Sequence, residues 1–182
     1  FNTSSEITIK DLKNHIGFLA SDDLEGRASG TIGDEMAKDY IKKFFENASL
    51  PTKRTVEIQE HYVPAERKWN LKPEDMTVKT YNIIATLPGN DPILKDEYVV
   101  IGGHYDGGAA TAAQLKKLSG DKIYNNADDN ASGTATVLEL FEKYASTNSN
   151  KRTLVFILFG GEELGLLAVS YTHLTLPTRS TV

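Results

Sequence analysis

The sequence predicts an α/β sandwich, and three observations carry that prediction. Apolar residues recur at helical spacing in "TIKDLKNHIGFL" and again in "GDEMAKDYIKKFF", while from Thr55 onward the period changes to two. Two almost unbroken apolar runs, "EYVVIGG" and "RTLVFILF", carry the signature of strands buried on both faces. A single helical segment separates these two runs, an order expected of neighbouring strands in an α/β sheet.

Each element has its own justification. Thr8 and Asp11 stand at capping-box spacing ahead of the first helix, whose Ile9, Leu12, Ile16 and Leu19 fall on one face. His15 sits at the edge of that stripe and reads as a surface or boundary histidine. "GRASGTIG" lacks the spacing of a phosphate-binding loop and reads as a connector between helices. The second helix runs from about Asp34 to Phe45 with Ala37, Tyr40, Ile41 and Phe44 inward. In the strand from Thr55, Val56, Ile58 and Tyr62 form the more apolar side, and His61 alternates onto the solvent side. "VPAERKWNLKPED" reads as a connecting loop holding the only tryptophan. "MTVKTYNIIATLPG" is a second strand that Pro88-Gly89 ends, and "ASGTATVLELFEKYA" is a helix with Val137, Leu138, Phe141 and Tyr144 inward.

Bulk properties narrow the function classes. A chain of 182 residues has room for one domain with a sizeable core. A net charge of −5 leaves no electrostatic footprint for nucleic acid. The longest uninterrupted apolar run, Leu154 to Phe159, is far short of the ~20 residues of a membrane span. The absence of cysteine excludes disulfides and thiolate metal sites. The chain begins at Phe1 with no signal peptide in view, and it shows no internal repeat and no dividing linker.

Polar residues gather in three clusters, "GGHYDGG", "NNADDNASG" and "GGEELG". The first and third follow the two apolar strands directly, at their carboxyl ends, where ligand sites form in open α/β sheets. The second precedes a helix, whose N-terminal dipole favours carboxylates. If the clusters converge, His104 meets Asp106, Asp128, Asp129, Glu162 and Glu163 in one small volume. Carboxylates so crowded repel one another and tend to take up protons. A divalent cation removes that penalty, and one imidazole among carboxylates suits zinc or a similar metal.

At these residues the sequence resembles the co-catalytic zinc aminopeptidase family that also includes glutaminyl cyclases and glutamate carboxypeptidases. "VVIGGHYDG", "IYNNADDNASGTA" and "LFGGEELGLL", in that order, carry the resemblance, and the N-terminal "FLASDDLEGRASGTIG" extends it over nearly all of residues 7–168. It implies a three-layer sandwich with a mixed, mainly parallel central sheet, incomplete at the C-terminus. It also implies two zinc ions in the complete protein, peptide substrates with a free N-terminus, and an extracellular or periplasmic location. By position, His104 is similar to the histidine ligand of one zinc and Asp106 to the carboxylate that orients it. Asp128 resembles the aspartate shared by both ions, with Asp129 supporting it across a peptide bond that is typically cis. Glu163 resembles a ligand of the second zinc and Glu162 the general base. The reaction implied is metal-assisted hydrolysis of an N-terminal peptide bond. Related activities within the resemblance are glutaminyl cyclisation and carboxypeptidase or dipeptidase cleavage, and a receptor-like relative without metals is the non-catalytic alternative.

Two features depart from the family pattern. Asn126 stands where glycine is common, a minor change because asparagine tolerates the left-handed conformation. Residues 169–182, "VSYTHLTLPTRSTV", resemble a translated sequencing adapter, and His173 goes with them. The expected organisation is therefore residues 1–168 as the N-terminal part of one catalytic domain, followed by a non-native tail. The family's remaining aspartate and histidine ligands would lie beyond residue 168. That count leaves two protein ligands per ion, so the chain as written is expected to be inactive and to bind zinc weakly.

Overall fold

The structure, a computed structural model, describes residues 4–47, 49–64, 77–108 and 122–165. Helix α1 spans Ile9–Leu19; the Thr8 hydroxyl accepts the Asp11 amide at 3.2 Å and donates to the Asp11 carboxylate at 2.5 Å. Helix α2 spans Ile32–Phe45, with the Thr31 hydroxyl as its N-cap. Strands β1 (Thr55–Pro64) and β2 (Thr77–Leu87) follow, then β3 (Tyr98–His104). An irregular turn, Ala127–Ala131, leads into α3 (Ser132–Thr147), and β4 spans Thr153–Phe159.

The sheet has the order β1-β2-β4-β3. It is mixed, as expected, although among the described residues antiparallel pairs outnumber the parallel one where a mainly parallel sheet was expected: β3 and β4 run parallel, while β1 with β2 and β2 with β4 are antiparallel. The helices pack on one face. Phe141 of α3 meets Phe45 of α2 at 4.6 Å between ring centroids and Phe156 of β4 at 5.5 Å, both edge-on. Ile83, Ala85, Leu87 and Leu158 complete this core. Alternate residues Ile84, Val155 and Ile157 form a smaller cluster on the other face with Phe159. Strand β4 is therefore doubly buried, as its apolar run predicts.

Strand β3 differs from its expectation. Val99 is 40 % and Val100 49 % exposed, because β3 is the edge of the sheet among the described residues. Within α1, Ile9 is exposed and the buried positions are His15 and Leu19. His15 is thus a core residue and not a surface or boundary one. Its Nδ1 lies 2.7 Å from Tyr40 Oη and its Nε2 3.1 Å from a Glu139 carboxylate oxygen, while the ring sits edge-on to Phe44. Both nitrogens are satisfied, which removes most of the cost of burying an imidazole. Burial pulls His15 down to about 4 and pushes Glu139 up to about 7.

His61 also departs from the sequence reading. It is half-buried, with Nε2 3.2 Å from the Gly160 carbonyl, whereas Tyr62 is exposed. The loop expected across "VPAERKWNLKPED" lies largely outside the described residues, and so does the segment 169–182.

Candidate metal centre

Parallel pairing of β3 with β4 sets His104 opposite Phe159, so the carboxyl ends of both strands open at the same edge of the sheet. His104 is the last residue of β3, and Glu162 and Glu163 follow β4 after the turn at Gly160 and Gly161. Gly161 has φ +81°, a conformation that glycine adopts without strain. The N-terminus of α3 is tied to the same edge. Thr134 Oγ1 and Asn130 Nδ2 donate to the His104 carbonyl at 2.9 and 3.3 Å. Asn130 Oδ1 accepts the Gly133 amide at 3.0 Å and so caps the first turn of the helix.

The three clusters converge. Ligand atoms of His104, Asp129 and Glu163 all lie within 4.8 Å of one another. His104 Nε2 is 3.2 Å from an Asp129 oxygen and 3.9 Å from a Glu162 oxygen. Asp128, expected at the centre, falls outside this group; its neighbour Asp129, exposed like Asp128 itself, lies within it. The cis peptide is correspondingly Asp129-Asn130, one bond later than expected. Adjacent aspartates with identical chemistry give no sequence signal for which one lies nearer His104.

Asp106 is fully buried and braces the centre from behind. Its two carboxylate oxygens accept the backbone amides of Glu162 and Glu163, each at 3.3 Å, and the Ser29 hydroxyl at 2.9 Å. One of them lies 3.6 Å from His104 Nδ1, which is also 3.2 Å from the Asp106 carbonyl. A single side chain thus aims the imidazole and shapes the turn that carries both glutamates. Gly108 leaves the space Glu163 needs, since a Cβ there would lie 2.8 Å from a Glu163 oxygen.

Electrostatics report the crowding. Burial alone would depress His104, but Asp106, helped by Glu162, raises it to about 9. Glu163 is shifted upward by partial burial and by the charges of Asp129, Asp106 and Glu162. The group therefore draws positive charge toward itself. An imidazole and two carboxylates, backed by a carboxylate that orients the imidazole, match the donor chemistry of a zinc site with room for a water or substrate.

The loop read as a connector belongs to this frame. Arg27, in "EGRASG", is fully buried, and a Cβ on Gly107 would sit 2.1 Å from the Gly26 carbonyl. Arg27 and Ser29 escape periodicity arguments; the available signal is one arginine set among glycine and small residues. Close by, Asp34, Thr80 and Tyr105 form a buried polar group beside Gly160. Burial pushes Asp34 up to about 6.

Comparisons with known proteins bear on the family and the fold. Residues 82–178 match the sequence profile of Peptidase family M28. A probable zinc metalloprotease of Pyrenophora tritici-repentis is 42 % identical over 91 residues, which are 50 % of this chain and 19 % of that protein. Leucine aminopeptidase 1 of Trichophyton rubrum is 35 % identical over 92 residues, 48 % of this chain and 22 % of that protein. The match thus spans about a fifth of the length of these curated relatives. Among solved structures, a glutaminyl cyclase of Fimbriiglobus ruber superposes with TM-score 0.66 at 26 % identity, covering 90 % of this chain and 48 % of that one. The zinc aminopeptidase of Bacillus subtilis reaches TM-score 0.70 at 15 % identity, covering 96 % and 67 %, a likeness of fold. No helix among the described residues is long and apolar enough to cross a membrane.

Proposed function

From the premise that this chain belongs to Peptidase family M28, we propose that it carries the zinc-binding half-site of an aminopeptidase, which removes N-terminal residues from peptides. The observation that carries this reading is the convergence of His104, Asp129 and Glu163 within 4.8 Å, with Glu162 alongside and Asp106 behind. His104, Asp129 and Glu163 would hold zinc. Three donors are the number usual in catalytic sites, one more than the count of two per ion taken from resemblance alone. Zinc, when bound, supplies Lewis-acid polarisation of the scissile carbonyl and makes a nearby water more acidic.

The chain's own residues supply the rest. Glu162 is free of the ligand group yet 3.9 Å from His104, so it stands beside the reacting position as general base. It takes the proton of the attacking water and delivers it to the departing amine. Asp106 holds that carboxylate in register through the Glu162 amide. The exposed Asp128 and the acidic rim attract the substrate's α-ammonium group.

The test compares release of N-terminal residues from free and N-acetylated peptides by the zinc-loaded protein at the full length of its relatives, since the 182 residues alone are expected to be inactive. Cleavage confined to free N-termini, with kcat abolished and zinc retained in Glu162→Gln, supports the reading. Equal cleavage of blocked peptides, or an unchanged rate in Glu162→Gln, refutes it. Cyclisation of N-terminal glutamine without hydrolysis would instead mark the activity named for the Fimbriiglobus structure.

A further inference from the structure

We infer that Arg27 is a positioning residue for the metal centre, its buried guanidinium locking together the backbone segments that present His104 and Asp129. The centre's identity as a zinc site rests on the function proposed above; the lock itself does not. Arg27 is the largest fully buried side chain among the described residues, yet it forms no ion pair among them. It donates instead to four backbone carbonyls. Nε bonds the Tyr105 carbonyl at 3.0 Å, Nη1 the carbonyls of Leu19 and Asn125 (the latter at 2.8 Å), and Nη2 that of Asn126 at 2.9 Å.

These acceptors are not a random sample of the chain. Tyr105 lies between His104 and Asp106, so its carbonyl fixes the peptide plane between the candidate ligand and the carboxylate that aims it. Asn126 is left-handed, at φ 52° and ψ 45°, and opens the turn that carries Asp129; its carbonyl also accepts the Ala131 amide at 3.3 Å. The Arg27 backbone completes the lock, since its own carbonyl accepts the Gly107 amide at 3.1 Å. Leu19 anchors the whole to the end of α1.

Only a guanidinium suits this task. Its donors lie in one plane in a rigid fork and reach acceptors in several directions at once. A lysine has three donors on a rotatable stem and cannot meet four diverging carbonyls. An apolar side chain would fill the space and remove the donors, the costly outcome for a buried backbone acceptor such as the Tyr105 carbonyl. Three of the four bonds go to the two loops of the centre and the fourth to the end of α1.

The experiment uses the 182-residue chain, its Arg27→Lys variant, and Phe141→Leu as a core control distant from the loops. Amide hydrogen exchange is measured without metal at Gly107, Ala131 and the β4 residue Ile157, and zinc affinity by chelator competition. In Arg27→Lys, exchange should accelerate at Gly107 and Ala131 by about tenfold or more, Ile157 should hold, and zinc affinity should fall about 10- to 100-fold. Phe141→Leu should lower Tm while leaving zinc affinity within about twofold. Zinc affinity in Arg27→Lys within about twofold of the parent overturns the inference, as does unchanged exchange at Gly107 and Ala131. Loss of the folded state in Arg27→Lys overturns it too, since the side chain would then be a folding requirement and no setting device. A parent chain that takes up no zinc defeats the zinc reading instead, and the exchange data alone then decide the lock.

Discussion

His104 Nε2 lies 3.2 Å from an Asp129 carboxylate oxygen, whereas Asp128, one residue earlier and equally exposed, is outside the group. Two adjacent aspartates therefore have separable consequences. Asp129→Ala should weaken zinc binding by roughly 100-fold or more, because it removes one of three donors. Asp128→Ala should change affinity by no more than about threefold, as expected of a charge outside the ligand group that only biases the local field. Competition with a chromophoric chelator reads both.

Asp106 predicts a different phenotype. Asp106→Asn keeps the shape but weakens the acceptor that aims His104 and receives the amides of Glu162 and Glu163. Zinc affinity should fall about 10- to 100-fold, the range for residues that orient a ligand without touching metal. Isothermal titration against the parent measures it.

Gly107 tests the contact between loops. A Cβ there meets the Gly26 carbonyl at 2.1 Å and the Asn126 side-chain nitrogen at 2.5 Å, and neither is free to move without disturbing the loops around the centre. Gly107→Ala should cost about 2–4 kcal/mol of stability in urea denaturation, an overpacking penalty that volume-tolerant positions escape.

Asp34 makes stability depend on pH. Its folded pKa is raised from 3.8 to about 6, mainly by burial, so folding favours the protonated form. The contribution is fully present below the unfolded value and is lost as pH rises through about 6. Asp34→Asn removes this titration. The stability of Asp34→Asn relative to the parent should therefore be more favourable near pH 8 than near pH 4 by about 2–3 kcal/mol. Parallel urea curves at the two pH values check it; a difference independent of pH would contradict the assignment.

How much of this was legible in the sequence follows from what each residue's environment depends on. The caps at Thr8, the apolar face of α2 and the doubly buried β4 follow from local spacing, and the structure reproduces them. Convergence of His104 with Glu162 and Glu163 was also legible, because parallel strands open their carboxyl ends together. The choice of Asp129 over Asp128 was not, since it depends on backbone dihedrals within residues 127–131. The burial of His15 is not legible either, because it rests on partners in two other helices, Tyr40 and Glu139. The exposure of Val99 and Val100 is not legible, because an apolar run reports composition and not the strand's place in the sheet.

Zinc-edge X-ray absorption of the loaded chain tests the metal centre most directly. One imidazole together with carboxylate oxygens should surround the ion in the parent, and the imidazole signal should vanish in His104→Ala. An imidazole signal that survives His104→Ala, or a chain that takes up no zinc, would contradict the centre formed by His104, Asp129 and Glu163.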